Sequence, residues 1–307
     1  SNNMVFHSCT KNSNEVRRIV TTKVEHSSIL KMCSHLKING VKIETVEVDE
    51  KGLLIVEDLE KILNQKKASL VSIQWINNET GAIQDIESIS KLCKEKETIF
   101  HTDAAQAAGK LEINIDKLPV DFLSFTGHKY NAPQGCGVLY AKDRFLLNPI
   151  LFGGFQEEGF RPGTENLPGI VGIGKASEIR LENLRKLKMK MKELRDRFEA
   201  MVLDFIPGTK VNGSTKNRVC NTTNIRFGNL DGRRLIQLLD KRGIRCSQSS
   251  ACTNFDSTPS YVLLAMGLSE KEAYSSIRFS FSPENTFEEI NRAVDIIKDC
   301  CESLSKF

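Results

Sequence analysis

Lys129 closes the stretch Ser124-Phe125-Thr126-Gly127-His128-Lys129, where an apolar run gives way to small and hydroxylated residues that end on one amine. A lysine kept for solubility needs no such setting. One that forms a Schiff base belongs in a tight turn at a strand end, beside donors for an anion and away from bulk water. Two other stretches supply further reactive groups. Asp103-Ala104-Ala105-Gln106 offers an acid and an amide upstream, and Ser249-Ser250-Ala251-Cys252-Thr253 offers a thiol downstream. This set suits covalent chemistry on an aldehyde cofactor, in which an acid keeps a pyridine nitrogen protonated so that the ring accepts electrons.

Each candidate also has a plainer reading. Asp103 could cap the segment 104–108 instead of serving a ring nitrogen, and both roles are compatible. His26, after Thr21-Thr22-Lys23-Val24-Glu25, could stack on a flat cofactor, move protons, or be a hydrogen-bonded structural histidine. Thr126 and His128 could bind a phosphate or simply close the strand. Arg278 alternates with apolar neighbours in Ser275-Ser276-Ile277-Arg278-Phe279-Ser280, so it could fork onto a carboxylate or form an ion pair at a sheet edge. Cys252 lies among small polar residues that read as an adaptable loop, where a reactive thiol belongs.

The elements that must position these groups follow from patterning. Short β-branched runs at 18–22, 42–48, 70–74, 99–101, 122–125 and 137–140 read as strands, with helices expected at 56–63 and 85–96. This alternation predicts an α/β layer on a mostly parallel sheet, with ligands outside the carboxyl ends of the strands. His26, Asn78, Asp103 and the turn from Thr126 to Lys129 each follow a predicted strand. A glycine-rich stretch around 153–164 leads to a long helical region that stops at Pro207-Gly208. Beyond it, strands at 219–226, 244–248 and 276–281 and helices at 232–241, 259–266 and from Phe287 predict a smaller α+β domain. The expected division is a large cofactor-binding domain over residues 1–183 and a small domain over 184–307 carrying Cys252 and Arg278.

Composition narrows the function classes. With 307 residues, 40% apolar and 27% charged, the chain is long enough for a large core and reads as globular. Lys plus Arg (43) barely exceeds Asp plus Glu (39), which gives no argument for nucleic acid. The basic stretch 180–197 is interrupted by acids and carries apolar residues every three or four positions, as an amphipathic helix does. No apolar run reaches the ~18 residues of a membrane span. The nine cysteines show no paired or zinc-like spacing, so the expectation is a reducing, cytoplasmic setting with mostly buried thiols and no metal centre.

Taken in order, Val24-Glu25-His26, Asn77-Asn78-Glu79-Thr80-Gly81, His101-Thr102-Asp103-Ala104-Ala105-Gln106, the lysine hexapeptide, Arg161-Pro162-Gly163-Thr164-Glu165-Asn166, Ser250-Ala251-Cys252-Thr253, Pro259-Ser260-Tyr261 and the Arg278 stretch resemble the pyridoxal-phosphate cysteine desulfurases of the NifS/IscS type, in the aminotransferase class V family. The resemblance implies the type I fold of PLP-dependent transferases, with a sheet of the seven-stranded type. It implies that Lys129 holds pyridoxal 5′-phosphate, His26 stacks on the ring, Asp103 pairs with the pyridine nitrogen and Gln106 with the ring oxygen. Asn78 would lie near that oxygen and the substrate, Thr126 and His128 would bind the phosphate, and Thr164 would reach the phosphate of the other subunit of a homodimer. Arg278 would hold the carboxylate of L-cysteine, and Cys252 would take its sulfur as a persulfide, leaving L-alanine. The loop from Cys252 to Tyr261 looks like the longer one of the NifS/IscS branch.

The family's N-terminal segment ends in a Gly-Ala-Thr-Glu-Ser-Asn-Asn phosphate loop, of which Ser1-Asn2-Asn3 corresponds to the end, so the expected sheet is N-terminally incomplete. Implied partners are a second copy of the chain and a sulfur acceptor or iron–sulfur scaffold protein. Selenocysteine lyase is the alternative, since Arg161-Pro162-Gly163-Thr164 resembles that relative too. An alternative of another class is a truncated, cofactor-free interaction or sulfur-carrier protein.

Overall fold

A computed structural model describes residues 1–11, 17–248 and 258–305. Two compact units divide the chain: residues 1–47, 54–76 and 84–184 form the first, and residues 48–53, 77–83 and 185–307 the second.

The first unit is built on a six-stranded sheet of β1 (Arg18–Thr22), β2 (Lys42–Val46), β3 (Leu70–Ser72), β4 (Phe100–Asp103), β5 (Phe122–Thr126) and β6 (Gly137–Ala141), in the order β2-β1-β3-β4-β5-β6. All neighbours run parallel except β5 and β6, so β1 to β5 present their carboxyl ends along one edge. Strands β1, β3 and β4 are buried throughout, which fits their β-branched and apolar runs. Helices α1 (Asn2–Lys11) and α2 (Ser27–Ile38) cover one face: Val5, Phe6 and Cys9 pack with Ile29, Cys33 and Leu36 over Ile19, Leu70 and Phe122. Helices α3 (Val56–Gln65) and α4 (Ile86–Glu95) complete the crossovers, the latter N-capped by Asp85, whose carboxylate accepts from Ser88 N.

Helix α5 (Leu167–Phe205) is counted with the first unit as far as Leu184 and with the second from Arg185. The second unit holds the antiparallel sheet β7 (Thr209–Val211), β8 (Thr222–Phe227) and β9 (Ser276–Ser280), with helices α6 (Gly232–Lys241), α7 (Tyr261–Ala265), α8 (Glu270–Tyr274) and α9 (Phe287–Ser305). Its core joins Leu194, Phe198 and Val202 of α5 to Ile225, Leu235, Ile277, Val294 and Ile297.

Two sequence expectations change. The stretch 244–248 forms no strand; it meets β9 through one bridge, Ser247 opposite Arg278, in which each backbone N–H donates to the other's carbonyl. Residues 104–111 form successive turns, with Ala107 N and Ala108 N both bonded to Ala104 O. Among the described residues the sheet of the first unit has six strands. Among those residues no helix is long and apolar enough to cross a membrane.

Candidate active site

Strands β4 and β5 are paired in parallel with Asp103 opposite Ser124, so the end of β4 and the turn after β5 share one sheet edge. Asp103, the last residue of β4, is buried. Its Oδ1 accepts from Ala105 N at 2.9 Å and its Oδ2 from Asn2 Nδ2 at 3.0 Å. The expected capping contact is therefore present, and each oxygen keeps a further lone pair for another donor.

After Thr126 the chain enters a 3₁₀ turn, Gly127–Tyr130, that ends at Asn131 with φ +72°. A Cβ on Gly127 would stand 2.7 Å from Ala132 Cβ and 2.9 Å from Ile173 Cγ1, so the turn closes only over glycine. Lys129 rises from this turn and is exposed, contrary to the expectation that it would be withdrawn from water. The residues that bury their side chains around the turn are its flanks, Tyr130 and Ala132, packed with Ala108 and Ile173.

His26 stands at the N-cap of α2, and its Nδ1 accepts from Ser28 N at 3.2 Å. That bond fixes the neutral ring as the Nε2–H form. Burial lowers the His26 pKa; the Asp103 carboxylate opposes this and the Lys129 ammonium adds to it. His26 is thus within electrostatic reach of both Asp103 and Lys129. Glu25, next in the chain, is fully buried, with both oxygens accepting from Gln74 N and Oε1 from Thr22 Oγ1 at 2.8 Å. Burial pushes its carboxyl up to about 8.

The remaining expected donors divide by setting. Thr126 Oγ1 lies 2.8 Å from His128 Nδ1 and 3.2 Å from Cys136 O, so one hydroxyl hydrogen serves two contacts. When it goes to Nδ1, the exposed ring turns an Nε2–H outward as a donor suited to an anion. Gln106 Oε1 accepts from the buried Lys110 ammonium, which leaves the amide Nε2 as the outward group. Thr164 is exposed on the loop before α5.

In the second unit Arg278 is half-buried, and its Nη1 donates to Asn78 O at 3.0 Å. Burial lowers its pKa, while Glu79 and Cys246 oppose the shift. Among the described residues no carboxylate comes within ion-pair distance of it, so the edge ion pair is not formed. Asn78 Oδ1 is buried without a hydrogen-bond partner, an acceptor left for a donor outside the chain. Cys252 lies outside the described residues. The described cysteines are all free, and burial pushes the Cys9, Cys33, Cys93, Cys246 and Cys301 thiols up to about 12, far from a thiolate at neutral pH.

The site holds residues that the sequence reading did not single out for chemistry: Asn2 and His101 by the acid, Lys110 on Gln106, and Glu25 beside the ring. Glu25, His101 and Asn2 carried a signal, as members of quoted motifs; Lys110 carried none. The donor set fits the parts of pyridoxal 5′-phosphate: a carboxylate with spare lone pairs for a protonated ring nitrogen, an outward amide for the ring oxygen, hydroxyl and imidazole donors for phosphate, and an amine for the aldehyde.

The family model described as "Aminotransferase class-V" matches residues 1–293. The chain is 42% identical over 290 residues to "Cysteine desulfurase" of Nostoc sp., covering 94% of this chain and 72% of that one. It is 39% identical to "Cysteine desulfurase NifS" of Azotobacter vinelandii, with 96% and 73% covered. Among solved structures, a "NIFS-LIKE PROTEIN" superposes with a TM-score of 0.91 at 33% identity, over 99% of this chain and 80% of that one. A NifS-like protein from Rickettsia africae gives a TM-score of 0.85, also at 33% identity, over 100% and 79%.

Proposed function

The chain belongs to the aminotransferase class-V family, and from that premise we propose that it is a pyridoxal 5′-phosphate-dependent cysteine desulfurase. It converts L-cysteine to L-alanine and takes the sulfur onto Cys252 as a persulfide, for iron–sulfur cluster or other thio-cofactor synthesis. The observation that carries the reading is the parallel pairing of β4 and β5, which puts Asp103 and the turn bearing Lys129 at one sheet edge, both acting electrostatically on His26.

Pyridoxal 5′-phosphate, when bound, supplies the electron sink for bond changes at the substrate carbons. The chain's own residues do the rest. Lys129 binds the cofactor through its amine and is free to move protons when substrate takes that place. Asp103 would keep the ring nitrogen protonated, His26 would offer its ring face to the cofactor, and the Gln106 amide would donate to the ring oxygen. Thr126 and His128 donate to the phosphate. Asn78 would stand near the ring oxygen and the substrate, its buried Oδ1 accepting from a donor such as the substrate amine. Arg278, whose guanidinium has no carboxylate partner among the described residues, pairs with the substrate carboxylate. The Cys252 thiolate attacks the substrate sulfur; the carbon–sulfur pair stays on carbon, which takes a proton, so cysteine and a thiol become alanine and a persulfide.

The active form is a homodimer in which Thr164 of one protomer reaches the phosphate bound by its partner. Phe145, Phe152, Phe155, Leu167 and Val171 lie on or beside the same loop and are each at least 64% exposed, an apolar stretch suited to a second copy. The free, mostly buried thiols accord with a reducing cytoplasmic setting.

The test is spectroscopic first. Added pyridoxal 5′-phosphate should give the purified chain a visible absorption band that Lys129→Ala lacks; a parent protein that stays colourless would sink the reading. With a dithiol added to reduce the persulfide, alanine and sulfide should then form from cysteine in equal amounts and cease in Cys252→Ala. Faster turnover of selenocysteine with Cys252 dispensable would assign the chain to the lyase instead.

A further inference from the structure

Behind the acid runs a hydrogen-bond chain that crosses three strands. Ser72 Oγ on β3 lies 2.8 Å from His101 Nδ1 on β4, and His101 Nε2 lies 3.1 Å from Ser124 Oγ on β5. Ser124 Oγ donates to Asn2 Oδ1, and Asn2 Nδ2 donates to Asp103 Oδ2 at 3.0 Å and to Ser28 Oγ at 3.1 Å. Ser72, His101 and Ser124 are all buried, His101 completely, with Phe6 set edge-on to the imidazole.

The direction of every bond in this chain follows from its charged end. A carboxylate only accepts, so Asn2 must turn its N–H to Asp103 and its carbonyl to Ser124. Ser124 therefore spends its one hydrogen on Asn2 and can only accept from His101. The imidazole must then carry its proton on Nε2 and receive Ser72 on Nδ1. Burial pushes His101 down to about 3, so the ring is neutral and has one proton to place.

We infer that His101 is a positioning residue for this site: held as the Nε2–H form, it fixes Ser124 and Asn2 so that Asp103 always meets an N–H donor and never the Asn2 carbonyl. The inference rests on the reading of Asp103 as the acid facing the ring nitrogen. Were the chain reversed, the Asn2 oxygen would face the carboxylate and favour its protonation, which removes the charge that holds a ring proton. His101 touches neither Asp103 nor the reacting atoms and acts through the two residues between them.

The coupling can be read without turnover. In the full chain labelled with ¹⁵N on its histidines, before cofactor is added, two-bond ¹H–¹⁵N spectra report the tautomer of each ring, with His101 assigned by its loss in His101→Phe. The parent should show neutral Nε2–H. Asp103→Asn keeps an acceptor toward Ala105 N and places an amide NH₂ where Oδ2 was, so Asn2 must flip and every bond must reverse. His101, which does not contact residue 103, should switch to Nδ1–H. In a Ser124→Ala background the same Asp103→Asn change should leave the His101 tautomer alone.

A parent ring with Nδ1–H, an unchanged tautomer in Asp103→Asn, or a switch that persists without Ser124 would each overturn the inference; the first needs only the assignment from His101→Phe, or from substitution of the other four histidines should that variant not fold. With cofactor bound, His101→Phe should lower kcat about tenfold while KM for cysteine stays within about twofold, the pattern of a lost positioning contact. A drop in KM affinity alone would also overturn it. If the parent gains no visible band with pyridoxal 5′-phosphate, the functional reading fails while the tautomer result stands.

Discussion

The ends of β4 and β5 lie side by side and carry opposite charges in opposite settings. Asp103 is buried, with both oxygens engaged by Asn2 and by Ala105 N. Lys129 is exposed at the far end of a four-residue turn whose glycine and flanking side chains are packed. The acid is buried before any ligand arrives, whereas the amine is presented to solvent by a packed turn. That division suits a site where the acid keeps one partner and the lysine must trade a bond with the cofactor for a bond made by the substrate.

The largest expected effect tests the amine. Lys129→Ala should abolish covalent cofactor binding and lower desulfuration on the order of 10³-fold or more, as loss of a covalent group does. Because the side chain is exposed, the urea midpoint should hardly move. A variant that destabilises the fold would show that the turn depends on the lysine, and the contrast with Asp103 would collapse.

Asp103→Ala should act on both counts. Removing the carboxylate takes the charge from the ring nitrogen, with an expected loss of roughly 10²-fold in kcat. It also leaves the Asn2 amide and Ala105 N without their acceptor, at a cost of about 1–3 kcal/mol in unfolding free energy. Activity lost with full stability would mean that the buried contacts around the acid are replaceable by water.

Glu25 sharpens the comparison, being a second buried carboxyl near the same edge. It keeps its proton in the folded chain up to about 8, whereas an unburied glutamate carboxyl loses it near 4.5. The native state thus binds the extra proton between those values. Its contribution to stability is complete below the lower one and is lost as pH rises through the upper, with a slope of up to about 1.4 kcal/mol per unit. Urea melts between about pH 5 and pH 7 should show parent stability falling by roughly 1–3 kcal/mol and the slope flattening in Glu25→Gln. An identical slope in the two proteins would mean that Glu25 is ionised when buried.

Much of this edge is legible in the residues themselves. Runs such as Arg18–Thr22 and Phe122–Thr126 are strands because most of their residues are β-branched or apolar, and their ends lead to His26 and Lys129 as the parallel pattern requires. Gly232–Lys241 is readable as a helix because Asp231 caps it and its apolar residues recur on one face. What is not legible comes from distance along the chain. Asn2 meets Asp103 across 101 positions, and Asn224 Nδ2 meets Glu79 O across 145, and no local pattern encodes either contact. The segment 244–248 has the composition of a strand but pairs through Ser247 alone, because pairing depends on the partner and not on propensity. Helix α2 was hidden by its cap, since histidine is an uncommon N-cap and the serines behind it read equally as a turn.

That cap supplies the smallest and most discriminating test. His26 has a structural task, accepting from Ser28 N at the start of α2, and a proposed ligand task, lying against the cofactor ring. Asparagine can accept the same backbone bond but has no ring. His26→Ala should cost about 1 kcal/mol of stability and His26→Asn only a few tenths, the usual difference between a lost and a replaced cap. Both variants should weaken cofactor binding about tenfold in titrations of the visible band, because the lost stacking surface is the same in each. If His26→Asn restores the affinity along with the stability, the histidine is a cap alone, and the edge opposite Lys129 owes its shape to the helix rather than to the ring.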